Sequence, residues 1–224
     1  MRDGAQTHGE RMKHHWFFDF DGTLCDTEED IKNAWRATIR ELGLDLAPFE
    51  MHYVTGPAID DMVRIMWPES ADDALIAAVR TAFVHHYDTG GFPLTQPYPG
   101  VVARLNALKA AGCRLYIVTN KRHCALCALV DKLGWRTLFD GLYASDMYKD
   151  GPIGKLKKPA LLAQAMAEQG AAADDAIIVG DTHLDIEAGR ANGIATIGVT
   201  WGYGSREELE RAGADEIRTE PGDF

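Results

Sequence analysis

The chain is short of cysteine, of basic charge and of long apolar runs. Its 224 residues include four cysteines, Cys25, Cys113, Cys124 and Cys127. That is too few for a disulfide scaffold at this length, so a reduced, cytoplasmic setting is expected. Lysine and arginine number 23 against 34 acidic residues, a net charge of −11. This balance excludes the basic footprint that broad contact with nucleic acid or an anionic membrane needs. It leaves room for a small anionic ligand held by a local cluster of lysines, helix N-termini and a metal ion. No apolar stretch approaches a membrane span, and the opening MRDGAQTHGERMKHH has no apolar signal core. Residues 1–13 read as a flexible polar extension.

What the chain has is ordinary globular material, 46% hydrophobic and 25% charged, which excludes disorder. Short apolar runs at 16–20 (WFFDF), 114–118 (RLYIV), 176–179 (AIIV) and 195–199 (ATIGV) show little alternation. That is the pattern of parallel strands covered on both faces. Between them, 101–112, 158–170 and 185–193 carry apolar residues at helical spacing and stop at glycines, with Pro159 near the start of the second. Such alternation predicts an α/β fold, a Rossmann-like parallel-sheet core spanning 14–25 and 95–224. Residues 26–94 break the rhythm. Helical patterns at 28–43, 58–67 and 71–87 follow one another with no strand between, so an all-helical inserted cap is expected there. The stretch PLTQPYPG, residues 93–100, reads as a rigid connector closing the insert.

The chemistry-bearing residues fall at strand ends, where ligands bind in open parallel sheets. The first run leads to Asp19, Asp21 and Thr23, the second to Thr119 and Asn120, the third to Asp181 with Asp185 four residues on. Lys158 opens the intervening helix. Two carboxylates two positions apart at the end of a buried strand repel unless something positive lies beside them. Asp19, Asp21 and Asp181 offer hard oxygen ligands suited to Mg²⁺. Lys158 and the Thr119 hydroxyl would hold phosphoryl oxygens, Asp19 would attack phosphorus, and Asp21 would serve as general acid and base.

The motifs DFDGTL (19–24), VTN (118–120), KP (158–159) and GDTHLD (180–185), in that order, resemble those of the haloacid dehalogenase superfamily. The helical insert after the first motif resembles its type-one cap. YPGV, VTNK and IGVTWGYGS are similar to phosphoglycolate phosphatase-like members. The resemblance implies a Mg²⁺-dependent phosphatase of a small phosphorylated metabolite, with an aspartyl-phosphate formed on Asp19. It implies phosphate contacts from Thr119, Asn120 and Lys158, with Lys157 or Lys155 as alternatives to Lys158. It implies a metal held by Asp19, Asp181 and the Asp21 carbonyl, with Asp185 a direct ligand, a neighbour of one, or a helix-capping residue. Gly56, Pro57 and Arg64 are candidates for the loop closing over substrate. Asp21 argues against dehalogenation, which has no phosphate leaving group to protonate. A β-phosphoglucomutase-like mutase, a nucleotide or pyrophosphate hydrolase and a catalytically silent phospho-ligand-binding regulator stay open, as does monomer or homodimer. Cys124 and Cys127 read as helix packing, and His183, Lys121 and Arg122 as solvated charges.

Overall fold

In a computed structural model, which describes residues 13–148 and 156–224, the sheet is built around β1, His15–Phe18. Parallel neighbours flank it: β4, Arg114–Thr119, on one side and β6, Ala176–Gly180, on the other. Outside β4 lies β5, Gly141–Ala144, and outside β6 lie β7, Ala195–Val199, and β8, Glu216–Arg218. The order is β5-β4-β1-β6-β7-β8. Successive side chains of a strand alternate between faces, and β1 uses both faces for aromatics. Trp16 and Phe18 join the core under α5, Val101–Ala110, and α6, His123–Lys132. Phe17 joins the opposite core with Leu161 and Leu162 of α7, Lys158–Gln169, and Ala188 of α8, His183–Ala191. Phe17 and Phe18 are fully buried, each contributing on the order of 2 kcal/mol of apolar burial. A strand so anchored is a rigid base for whatever follows it.

The insert has its own core. Helices α1, Glu28–Glu41, α2, Ala47–His52, α3, Ile59–Met66, and α4, Asp73–Thr89, enclose Trp35, Ile39, Phe49, Met62, Val63 and Val79. Asp72 caps α4 by accepting from the Leu75 N–H, as its residue type favours. The chain leaves and re-enters the sheet domain through adjacent strands, β2, Cys25–Asp26, and β3, Gln96–Pro97, which pair antiparallel. The expected connector is therefore half of a two-stranded hinge.

Asp30, in the first turn of α1, clamps this hinge. Its buried carboxylate accepts from the Thr95 N–H at 2.6 Å, the Thr95 hydroxyl at 2.7 Å and the Leu94 N–H at 3.1 Å. Asp30→Ala would strand those donors, so unfolding by urea should show a loss of about 2–4 kcal/mol. A change within error would remove Asp30 from the hinge.

The structure corrects several sequence readings. β1 ends at Phe18, two residues earlier than expected, so Asp19 and Phe20 lie beyond the strand. The elements β5, β8, α2 and α9, Arg206–Ala212, were not read from sequence. β5 is GLYA and β8 is EIR, too short and mixed to carry a pattern; pairing with a neighbour makes them strands. The expected extension lies outside the described residues except for Lys13, whose ammonium donates to the Asp174 carbonyl at 2.7 Å. Among the described residues no helix is long and apolar enough to cross a membrane.

Candidate active site

β1, β4 and β6 end side by side, and the strand order reverses across β1. This is the crevice where open parallel sheets bind ligands. Asp19 follows β1 directly. Its N–H donates to the Val179 carbonyl at 3.0 Å, and its Oδ1 accepts from the Phe20 N–H at 2.8 Å. The other oxygen, Oδ2, faces the ammonium of Lys158 at 2.8 Å. Lys158 is the first residue of α7, placed there with Pro159 in the opening turn, and its side chain is almost wholly buried. The same ammonium lies 2.5 Å from Asp185 Oδ1. Of the candidate lysines among the described residues, Lys158 is the one at Asp19 and Lys157 is exposed; Lys155 lies outside them.

Asp181 follows β6 and is fully buried. Its oxygens accept from the Thr23 hydroxyl at 2.9 Å and the Tyr203 N–H at 2.8 Å. Two glycines permit this closeness. Gly22 has a φ of +77°, and a Cβ there would stand 2.2 Å from Asp181 Oδ2; a Cβ on Gly202 would stand 2.3 Å from the Gly22 carbonyl. Asp185 Oδ2 accepts from the Thr182 N–H and hydroxyl, forming a capping box at the start of α8. Asp185 thus caps its helix and faces Lys158 at once.

Carboxylate oxygens of Asp19, Asp181 and Asp185 lie within 4.8 Å of one another, all buried. Burial above all, then the charges of Asp185 and Asp19, pushes the Asp181 carboxyl up to about 8. Burial also raises Asp185, against the pull of Lys158. Burial would lower Lys158, but Asp185 and Asp19 together hold it above its ordinary value. One ammonium does not balance three buried carboxylates. The surplus negative charge and the all-oxygen donor set fit a hard divalent cation.

Asp21 is partly exposed and pairs with Lys121, 2.9 Å from its Oδ1. This corrects the reading of Lys121 as a solvated charge: its side chain is 3% exposed and donates to the Tyr87 hydroxyl at 2.5 Å. Burial lowers its basicity, but Asp21 and Tyr87 more than offset that, leaving it raised. Thr119 is buried at the end of β4, its hydroxyl accepting from the Lys121 N–H at 3.2 Å, while Asn120 is exposed. In the insert, Gly56 and Pro57 are exposed, and Arg64 is exposed and pairs with Asp61 at 3.4 Å. Arg122 pairs with Asp88 and Asp146.

His183, expected to be solvated, is half-exposed and engages Glu208 at 2.6 Å. Cys124 and Cys127 are not core residues: Cys124 is exposed and donates to Asp88, and Cys127 contacts the His123 ring. Cys25 is buried, and burial pushes its thiol up, away from reactivity. Sequence reasoning missed Tyr87 and Tyr203. The quoted WGYGS contains Tyr203, but nothing local says that its N–H meets Asp181.

The haloacid dehalogenase-like hydrolase family matches residues 16–199, and the chain belongs to that family. It is 33% identical over 200 residues to a phosphoglycolate phosphatase of Neisseria gonorrhoeae, covering 87% of this chain and 83% of that one. To a phosphoglycolate phosphatase of Aquifex aeolicus it is 32% identical, covering 83% and 84%. A solved haloacid dehalogenase-like family hydrolase from Streptococcus pneumoniae superposes with a TM-score of 0.77 at 27% identity, covering 94% and 95%. The chain is an enzyme of the phosphatase kind, with phosphoglycolate phosphatase-like relatives.

Proposed function

We propose that the chain hydrolyses a small phosphomonoester, phosphoglycolate first among candidates, through an aspartyl-phosphate on Asp19. The observation that carries this reading is the clamp of Lys158 on Asp19 Oδ2 at 2.8 Å beside two further buried carboxylates. A nucleophile fixed at the end of a rigid strand, next to a cation, is pre-positioned for an anionic phosphoryl group. Asp19 attacks phosphorus as the bridging P–O bond breaks, and Asp21 gives its proton to the departing oxygen. Asp21 then takes a proton from water, whose oxygen attacks phosphorus and releases orthophosphate from Asp19. Lys158, Thr119 and Asn120 hold the non-bridging oxygens. Asp19, Asp181 and the Asp21 carbonyl would hold Mg²⁺, with Asp185 beside it; bound there, the ion neutralises phosphoryl charge.

The relatives named for phosphoglycolate support the substrate, and the full set of carboxylates speaks against a silent regulator. Phosphate release from a panel of phosphometabolites, with Mg²⁺ and with EDTA, tests the reading. Mg²⁺-dependent release from one dominant short phosphorylated acid is expected. Mg²⁺ binding with no release from any compound would overturn it.

A further inference from the structure

Lys121 is a buried cation that the reaction scheme above does not use. Its ammonium sits 4.6 Å from the centre of the Tyr87 ring and 5.9 Å from that of Phe20. Among the described residues its carboxylate partner is Asp21, at 2.9 Å. An ammonium has three donors; Tyr87 takes one, Asp21 faces another, and the third has no acceptor among the described residues. The facing oxygen, Asp21 Oδ1, is itself buried. A buried ammonium needs a counterion, and a second carboxylate can supply it when Asp21 leaves.

A general acid must come within about 2.6–3.2 Å of the leaving oxygen. When Asp21 turns to that oxygen, Lys121 loses its counterion in a dry pocket, which is costly. The ammonium is 2.9 Å from an acid that must come within about 3 Å of the leaving oxygen, so it lies within about 6 Å of that oxygen. In a phosphorylated two-carbon acid the carboxylate, two bonds from that oxygen, spans such a distance.

Resting on the phosphatase reading, we propose that Lys121 is the specificity-determining anchor for a carboxylate on the leaving group. The substrate carboxylate replaces the Asp21 carboxylate at Lys121, which seats the substrate; Asp21, no longer held ionised by that ammonium, takes a proton from solvent and turns to the leaving oxygen. Tyr87, on α4 of the insert, fixes Lys121 from above through its hydroxyl at 2.5 Å. A neutral leaving group of equal size leaves Lys121 unpaired and is rejected on that ground.

The test compares kcat/KM for 2-phosphoglycolate and for 2-hydroxyethyl phosphate, its neutral counterpart, with p-nitrophenyl phosphate as a general probe. The wild type should prefer the acid by about 100-fold or more, as a charge-assisted contact in a dry site allows. In Lys121→Met that preference should fall to about 3-fold or less, mostly through the acid substrate, while Lys121→Arg should retain a clear preference. Thermal melts check that the variants fold; Lys121→Gln carries the same expectation should Lys121→Met not fold. A preference that survives loss of the cation, an equal fall for both esters, or no preference in the wild type overturns the inference alone. No release from any of the three compounds by the wild type overturns the phosphatase reading with it.

Discussion

Asp19→Asn is expected to lower turnover by at least about 10⁴-fold, the scale seen when a nucleophile acting as part of a unit is removed. The amide is nearly the same shape. Its single oxygen can serve the Phe20 N–H or the Lys158 ammonium, each 2.8 Å from an Asp19 oxygen now, and its NH2 then faces the other donor. Lys158 loses one partner but keeps Asp185 at 2.5 Å, so no buried ammonium is left unpaired. Removing one of three clustered carboxylates also relieves repulsion. The lost acceptor opposes that relief, so the variant should melt within about 5 °C of the wild type and still bind orthophosphate through Lys158. Single-turnover assays decide the matter, because a slow nucleophile shows no phosphorylated enzyme. Activity above about 1% of wild type would take the nucleophilic role from Asp19.

The second large effect is a dependence of metal stabilisation on pH. Asp181 ionises near 8 in the metal-free fold against an ordinary 3.8, so across that window the native state binds more protons than the unfolded chain. Stability of the metal-free protein from this group must then fall as pH rises from about 4 and level off above about 8. Asp185 is shifted in the same direction. A bound cation favours the ionised carboxylates and removes the penalty. The melting temperature in saturating Mg²⁺ minus that in EDTA should thus be larger near pH 8 than near pH 5.5, by about 5 °C or more for a chain of this size. Taking the difference cancels groups at the opposite end of the strands, such as Asp140 with Lys109. A difference independent of pH would mean that Asp181 does not hold the cation.

Much of the fold was legible because it depends on local pattern. Unbroken apolar runs and glycine-stopped helices announced the central strands and the helices covering them. β5 and β8 escaped because an edge strand of mixed residues is made by its neighbour rather than by its own sequence. The two-stranded hinge escaped for a similar reason: Cys25–Asp26 and Gln96–Pro97 are far apart in sequence and pair only because the insert folds between them.

At the site, the sequence by itself determined which groups could take part. Carboxylates, a hydroxyl and a lysine at the ends of parallel strands must face one crevice once the sheet is wound. Only the tertiary structure decided which partner each group found. It placed Lys158 rather than Lys157 at Asp19, gave Asp185 both a helix cap and an ion pair, and kept Arg64 at the surface. It also took Lys121, by its neighbours an ordinary surface charge, and buried it between Asp21 and Tyr87. Helix and strand formation follow from spacing along the chain. Burial and charge pairing depend on distances between segments far apart in the chain, as between Phe18 and Phe224, whose ring centres lie 5.4 Å from each other, and those distances exist only after folding.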